Sequence, residues 1–175
     1  HVSFGSALVK SLFLARRLKA VWGTQERVGI LLPPSIAGAL VNFAAWFLGK
    51  VPVNLNYTLS ANGIESCIRQ CDIKNVVGSK ELMNHLKLEL ETPVVFLEDL
   101  AKGPTMGEKL RSVLTAIFCP YFLIRTVLGA ERKLEIDDVA TIIFSSGSTG
   151  DPKGVELTHY NVISNVEQLT QTFSL

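Results

Sequence analysis

Apolar positions along the chain recur in two alternating rhythms. In residues 1–19, Leu8, Leu12, Ala15 and Leu18 repeat at three to four residues while Arg16, Arg17 and Lys19 fall between them. That spacing predicts an amphipathic helix with its basic residues on the other face. Residues 27–32 (RVGILL) are almost continuously apolar, as in a strand covered on both sides. Pro33 and Pro34 stop the run, Ser35 stands where an N-cap belongs, and Gly49 closes the following helix as its C′ residue. The alternation continues with an extended 51–54 (VPVN), a helix from a Ser60 cap to Cys71, a strand at 75–78, a helix at 81–90 and a strand at 94–97. Short apolar runs alternating with helices predict an α/β fold with a mostly parallel sheet flanked by helices.

Residues 102–133 break this rhythm. The segment holds six basic residues (Lys102, Lys109, Arg111, Arg125, Arg132, Lys133) and two acidic ones, a balance of +4, whereas 134–175 holds one basic and six acidic, a balance of −5. The expected structure is an inserted helix pair packed on the domain with a solvated basic edge. The other reading is a peripheral membrane contact through 102–133, since apolar-plus-basic segments lie well in a bilayer interface. No segment reads as a membrane span. The apolar runs 36–48 and 113–124 are 13 and 12 residues long, against ~20 needed to cross a bilayer. A signal peptide is not visible either, because the basic residues of the first segment follow its apolar ones.

Composition narrows the classes further. With 47% hydrophobic and 19% charged residues, disorder is excluded. A net charge of +1 gives no overall field to recruit nucleic acid, and no nucleic-acid partner is expected. Cys67, Cys71 and Cys119 form no C-x-x-C pair, and His1, His85 and His159 show no metal-ligand spacing. Buried free thiols in a reducing compartment are the expectation, hence a cytoplasmic location, with membrane association as part of a larger chain. The chain begins at His1, not Met, and ends at Leu175 inside a helical pattern. Both ends read as cut.

The chemistry concentrates in residues 140–161, ATIIFSSGSTGDPKGVELTHYN. A β-branched strand at 140–144 runs into Ser145, Ser146, Gly147, Ser148, Thr149, Gly150, Asp151, Pro152, Lys153 and Gly154. Glycines let a backbone approach a ligand closely, successive amides form a concave anion site, and hydroxyls with one lysine add donors suited to phosphate. The loop reads as a polyphosphate cradle, against the plainer alternative of a Gly/Ser-rich linker. It is not a Walker A loop, because Pro152 and Gly154 occupy positions that pattern reserves for Gly and for Ser or Thr. Residues 155–157 look extended and a helix starts near Thr158, so the loop joins two strands.

Residues 144–154, followed by Leu157, Thr158, His159 and Asn161, closely resemble the signature loop of the adenylate-forming (AMP-binding) superfamily. VGILLPPS at 28–35 and GKVPVNLNYTLS at 49–60 are similar to the amino-terminal part of the same family. The resemblance covers essentially all 175 residues, as a partial N-terminal segment of the large domain. Residues 49–60 and the apolar-basic insertion look most like the acyl–acyl-carrier-protein ligase part of bifunctional lysophospholipid acyltransferases.

The resemblance implies an acyl-activating ligase that makes an acyl-adenylate from ATP and a carboxylic acid, a fatty acid by its nearest kin. Pyrophosphate leaves, and the acyl group passes to the thiol of acyl carrier protein or coenzyme A. It assigns Ser146, Gly147, Ser148, Thr149 and Gly150 as phosphate donors and Lys153 as the catalytic cation on the departing pyrophosphate. Ser145 joins the cofactor-binding set and is a candidate Mg²⁺ ligand. Pro152 and Gly154 shape the loop, Asp151 faces solvent, and His159 and Asn161 serve packing and helix capping. A downstream adenine and Mg²⁺ stretch, a ribose-binding Asp and a carboxy-terminal lysine are absent from these residues, so the fragment alone is expected to be inactive. The competing class is a noncatalytic nucleotide-binding or membrane-peripheral interaction module.

Overall fold

The computed structural model describes residues 3–130, 134–145 and 151–173. Its strands are β1 (Arg27–Leu31), β2 (Val51–Asn54), β3 (Val76–Gly78), β4 (Val94–Phe96), β5 (Val139–Ser145) and β6 (Lys153–Thr158). They form one sheet in the order β4-β3-β1-β2-β5-β6. Every pairing is parallel except β5 with β6. The helices are α1 (Phe4–Trp22), α2 (Ile36–Phe47), α3 (Ala61–Gln70), α4 (Lys80–Leu86), α5 (Leu97–Ala101), α6 (Met106–Phe118), α7 (Tyr121–Leu128) and α8 (His159–Phe173). The expected α/β class with a mostly parallel sheet is the one observed.

Two apolar cores lie against opposite faces of the sheet. On one, Leu12, Leu18 and Trp22 of α1 and Val41, Ala44 and Ala45 of α2 cover Val28, Ile30 and Val77, with Ile124 and Leu128 of α7 at the edge. On the other, Ile64, Cys67 and Ile68 of α3 cover Leu31, Val53, Val76, Ile142 and Phe144. β1 is therefore buried on both faces, which explains its unbroken apolar run. Ser35 and Ser60 cap their helices, accepting from the Gly38 and Gly63 amides at 3.1 and 3.2 Å. Gly49 follows α2 at φ +72°, a left-handed turn that glycine adopts without strain.

Three local expectations need correction. The first helix runs on to Trp22, ending where the Gly23 amide donates to Lys19 O at 3.0 Å. Its basic residues lie off the apolar face, as expected, and two of them are bonded to α6: Arg16 donates to Ser112 Oγ and Thr115 Oγ1 at 2.9 and 2.7 Å, and Arg17 pairs with Glu108 at 2.9 Å. The helix expected over 81–90 stops at Leu86, because Lys87 turns left-handed at φ +48° and lets Leu88 and Leu90 pack on the second core. Finally, β4 ends at Phe96, and Leu97 opens the short helix α5. Residues 106–128 form the expected helix pair, α6 and α7; Arg132 and Lys133 of that segment lie outside the described residues. Among the described residues, no helix is long and apolar enough to cross a membrane.

Candidate functional site

β5 and β6 are the two legs of an antiparallel hairpin whose tip is the glycine-rich loop. Ser145 pairs with Lys153, Phe144 with Gly154 and Ile143 with Val155, so the loop joins two strands as read. Ser146, Gly147, Ser148, Thr149 and Gly150, five of the expected phosphate-binding residues, lie outside the described residues.

The two ends of the loop are defined by packing. Strand side chains alternate between faces, which puts Ser145 and Lys153 on one face and Phe144 and Gly154 on the other. Phe144 is buried in the second core. A Cβ on Gly154 would sit 3.2 Å from the Phe144 ring and 3.3 Å from Ile142 Cγ2. Any larger residue here would make the Phe144 ring or Ile142 give by a few tenths of an ångström. Pro152 is buried, and its carbonyl accepts from Gln70 Nε2 at 3.0 Å. Ser66 donates to Asp151 Oδ1 at 3.2 Å, and Gln70 also reaches Ser66 Oγ at 3.4 Å. Asp151 is exposed as expected, yet it is tied to α3.

Ser66 and Gln70 were not singled out from the sequence. The signal was there: a polar pair four residues apart on a helix whose neighbouring Cys67 and Cys71 face the core. Burial pushes the Cys67 thiol up to about 11, the charge of Cys71 adding to it, so it is a packing residue and not a nucleophile.

Below the loop, a polar network fixes the height of β5. Asn42 and Asn54 exchange amide hydrogen bonds at 3.1 and 2.9 Å, and Asn54 reaches Thr141 Oγ1 at 3.3 Å. Thr141 donates to Pro52 O at 2.8 Å, and Trp46 Nε1 to Ala140 O at 2.7 Å. His159 packs its ring edge-on to Trp46 at 5.9 Å. Its Nε2 is buried without a hydrogen-bond partner among the described residues, and burial lowers its pKa, in keeping with the expected packing role. Thr158 and Asn161 cap α8 reciprocally: Thr158 Oγ1 accepts from the Asn161 amide at 3.2 Å, and Asn161 Oδ1 from the Thr158 amide at 3.0 Å.

Lys153 is exposed and is left without an ion-pair partner among the described residues. The Ser145 hydroxyl makes only a long 3.4 Å contact to Lys153 O. An available cation and an underused hydroxyl, on one face at the carboxyl end of β5, fit a polyphosphate. In α/β sheets that edge is where ligands bind. The fit to Mg²⁺ is narrower. Among the described residues no three His, Cys, Asp or Glu side chains cluster, and Ser145 offers one neutral oxygen where Mg²⁺ needs about six. An ion held here would bring most of its ligands from water and phosphate.

A family profile described as "AMP-binding enzyme" matches residues 1–175. The chain is 27% identical over 169 residues to the rat medium-chain acyl-CoA ligase ACSF2, mitochondrial, covering 86% of this chain and 28% of that protein. It is 28% identical over 150 residues to a malonate–CoA ligase of Arabidopsis thaliana, covering 84% of this chain and 23% of that one. It thus spans about a quarter of the length of these curated relatives. Among solved structures, o-succinylbenzoate CoA synthetase (MenE) of Bacillus subtilis with the acyl-adenylate intermediate OSB-AMP superposes with a TM-score of 0.70 at 20% identity, over 99% of this chain and 40% of that one. The fatty acid AMP ligase of Legionella pneumophila superposes with a TM-score of 0.67 at 16% identity, over 96% and 27%. At such identities these two likenesses speak to the fold alone. With the profile matched from the first residue to the last, the chain belongs to the AMP-binding enzyme family.

Proposed function

We propose that the protein containing these residues activates a carboxylic acid, a fatty acid, with ATP. A carboxylate oxygen attacks the α-phosphorus, the bond to the β-phosphate oxygen breaks, and pyrophosphate leaves with its electron pair. The acyl group then passes to a thiol, of coenzyme A or acyl carrier protein. The observation that carries this reading is Lys153, without an ion-pair partner among the described residues and directly across the hairpin from Ser145. A carboxylate is already nucleophilic, so the chemistry calls for charge stabilisation on the leaving pyrophosphate more than for a protein base. Lys153 supplies an exposed cation, and residues 146–150 supply amides and hydroxyls. Ser145 is the one candidate contact to Mg²⁺ entering with the nucleotide.

Residues 49–60 and the α6–α7 pair support the finer placement near acyl–acyl-carrier-protein ligases of the bifunctional lysophospholipid acyltransferase type. The names of the relatives point instead to coenzyme A as the acceptor. Assay of the full protein with each thiol separates the two.

The test of the activity is ATP–pyrophosphate exchange with a panel of fatty acids on the full protein. Lys153→Ala is expected to slow exchange by ~10²–10³, the usual cost of one donor on a developing charge. Exchange unchanged by that substitution overturns the reading.

A further inference from the structure

The outer surface of α6 is apolar where a solvent-facing helix should be polar. Ser112 and Thr115 of α6 face the body of the protein and accept from Arg16. On the opposite side Met106, Leu110, Val113, Leu114 and Ile117 form a stripe at helical spacing, with Met106 82% and Ile117 67% exposed. Phe118 at the end of α6 and Tyr121 and Phe122 at the start of α7 are exposed as well, Tyr121 at 86%. Successive helix positions are 100° apart, which sets Lys109 on one flank of the stripe and Arg111 on the other. Both are exposed. The only acid in 102–130 is Glu108, and it is bound to Arg17 at 2.9 Å, so no free carboxylate interrupts the face.

We propose that the α6–α7 corner docks on an anionic lipid bilayer, with the apolar stripe in the acyl boundary and Lys109 and Arg111 at the headgroups. The charge pattern chooses the partner. Cations on both flanks of an apolar stripe match an anionic interface, and exposed aromatics such as Tyr121 suit the headgroup level. The exposed apolar side of α8 makes the contrast: Tyr160, Ile163, Val166 and Phe173 also lie open, but residues 159–173 contain no Lys or Arg, so nothing there selects an anionic partner. A groove of about 580 Å³ between α1, α2, α5 and α6, with Val113 in its wall and Lys10 and Lys109 beside it, continues the apolar surface inward. The proposal stands independently of the acyl-activation reading.

Co-sedimentation of the full protein with vesicles of phosphatidylcholine, with and without phosphatidylglycerol, tests it. Binding is expected to the anionic vesicles at low salt and to weaken as salt rises. The double substitution Lys109→Glu/Arg111→Glu should reduce partitioning at least ~10-fold, since each basic residue near such a surface contributes about fivefold. Leu114→Asp/Ile117→Asp should abolish it. All four positions are exposed, and an unchanged circular dichroism spectrum confirms that the variants fold. Absence of binding to anionic vesicles overturns the proposal, as does equal binding by the parent and both variants. So does a lipid-free dimer that Ile117→Asp dissociates, which would make the face a protein interface.

Discussion

Gly154 carries a constraint that a motif alone does not explain. Its φ is not the issue; the 3.2 Å that an added Cβ would leave to the Phe144 ring is. Gly154→Ala should therefore force the ring or the hairpin to shift, at ~1–3 kcal/mol for an overpacked site, read as a lower urea midpoint. Adding Phe144→Leu should recover part of the loss; no recovery would place the strain elsewhere. His159 makes a second test. Burial holds its pKa below the ordinary value of ~6.5, with Asp138 opposing and Arg125 reinforcing the shift. The unfolded chain then binds the proton more readily, so the neutral ring contributes stability above the ordinary value that is lost as pH falls through the folded one. His159→Gln should flatten the acid limb of Tm against pH, whereas parallel limbs would show that the ring does not titrate on unfolding. Both residues stood out in the sequence, and the packing role expected for His159 is the one observed. Ser66 and Gln70 did not stand out, because their partners, Asp151 and Pro152, lie 85 and 82 residues away.

Among the elements, those whose cause is local were legible. Ser35, Ser60 and Thr158 marked their helix starts, Gly49 marked an end, and the apolar runs at 27–32 and 140–144 marked buried strands. Where tertiary packing competed, the reading failed: α4 is cut short so that Leu88 and Leu90 can reach the core. The docking of α6 was equally hidden. Arg17 binds the Glu108 carboxylate and also donates to the carbonyls of Leu100 and Lys102 at 2.7 and 2.8 Å. The same carboxylate accepts from the Thr105 amide at 2.8 Å, completing a capping box. These contacts, Arg17 first, hold Glu108 down to about 2. The pairing is present at neutral pH and is lost as pH falls from the ordinary carboxylate range towards that value. Glu108→Gln should therefore speed amide exchange in α6 while leaving the core strands protected. Equal protection in both proteins would mean that the apolar contacts of α6 suffice without the clamp.

At the scale of the whole molecule, the sheet order follows from where apolar surface must go. β1 and β3 face both cores, so they sit centrally, and the β5–β6 hairpin lies at one edge. That placement leaves the other surfaces of the site unfilled by described residues: Ile143 and Val155, beside Lys153 on the same face, are 47% and 51% exposed. Nothing described there holds a base, a ribose or an acyl chain. Phosphate contacts alone, the charge-assisted one at ~1.5–3 kcal/mol and the rest neutral, must also offset the freedom the nucleotide loses on binding, while micromolar affinity needs ~8 kcal/mol. Residues 1–175 on their own should therefore bind ATP no more tightly than ~1 mM, about 4 kcal/mol, and should give no pyrophosphate exchange. The same residues within the full protein should support both. Titration calorimetry on the two proteins decides the matter, since micromolar ATP binding by the 175-residue chain would mean that the nucleotide site is already complete within it.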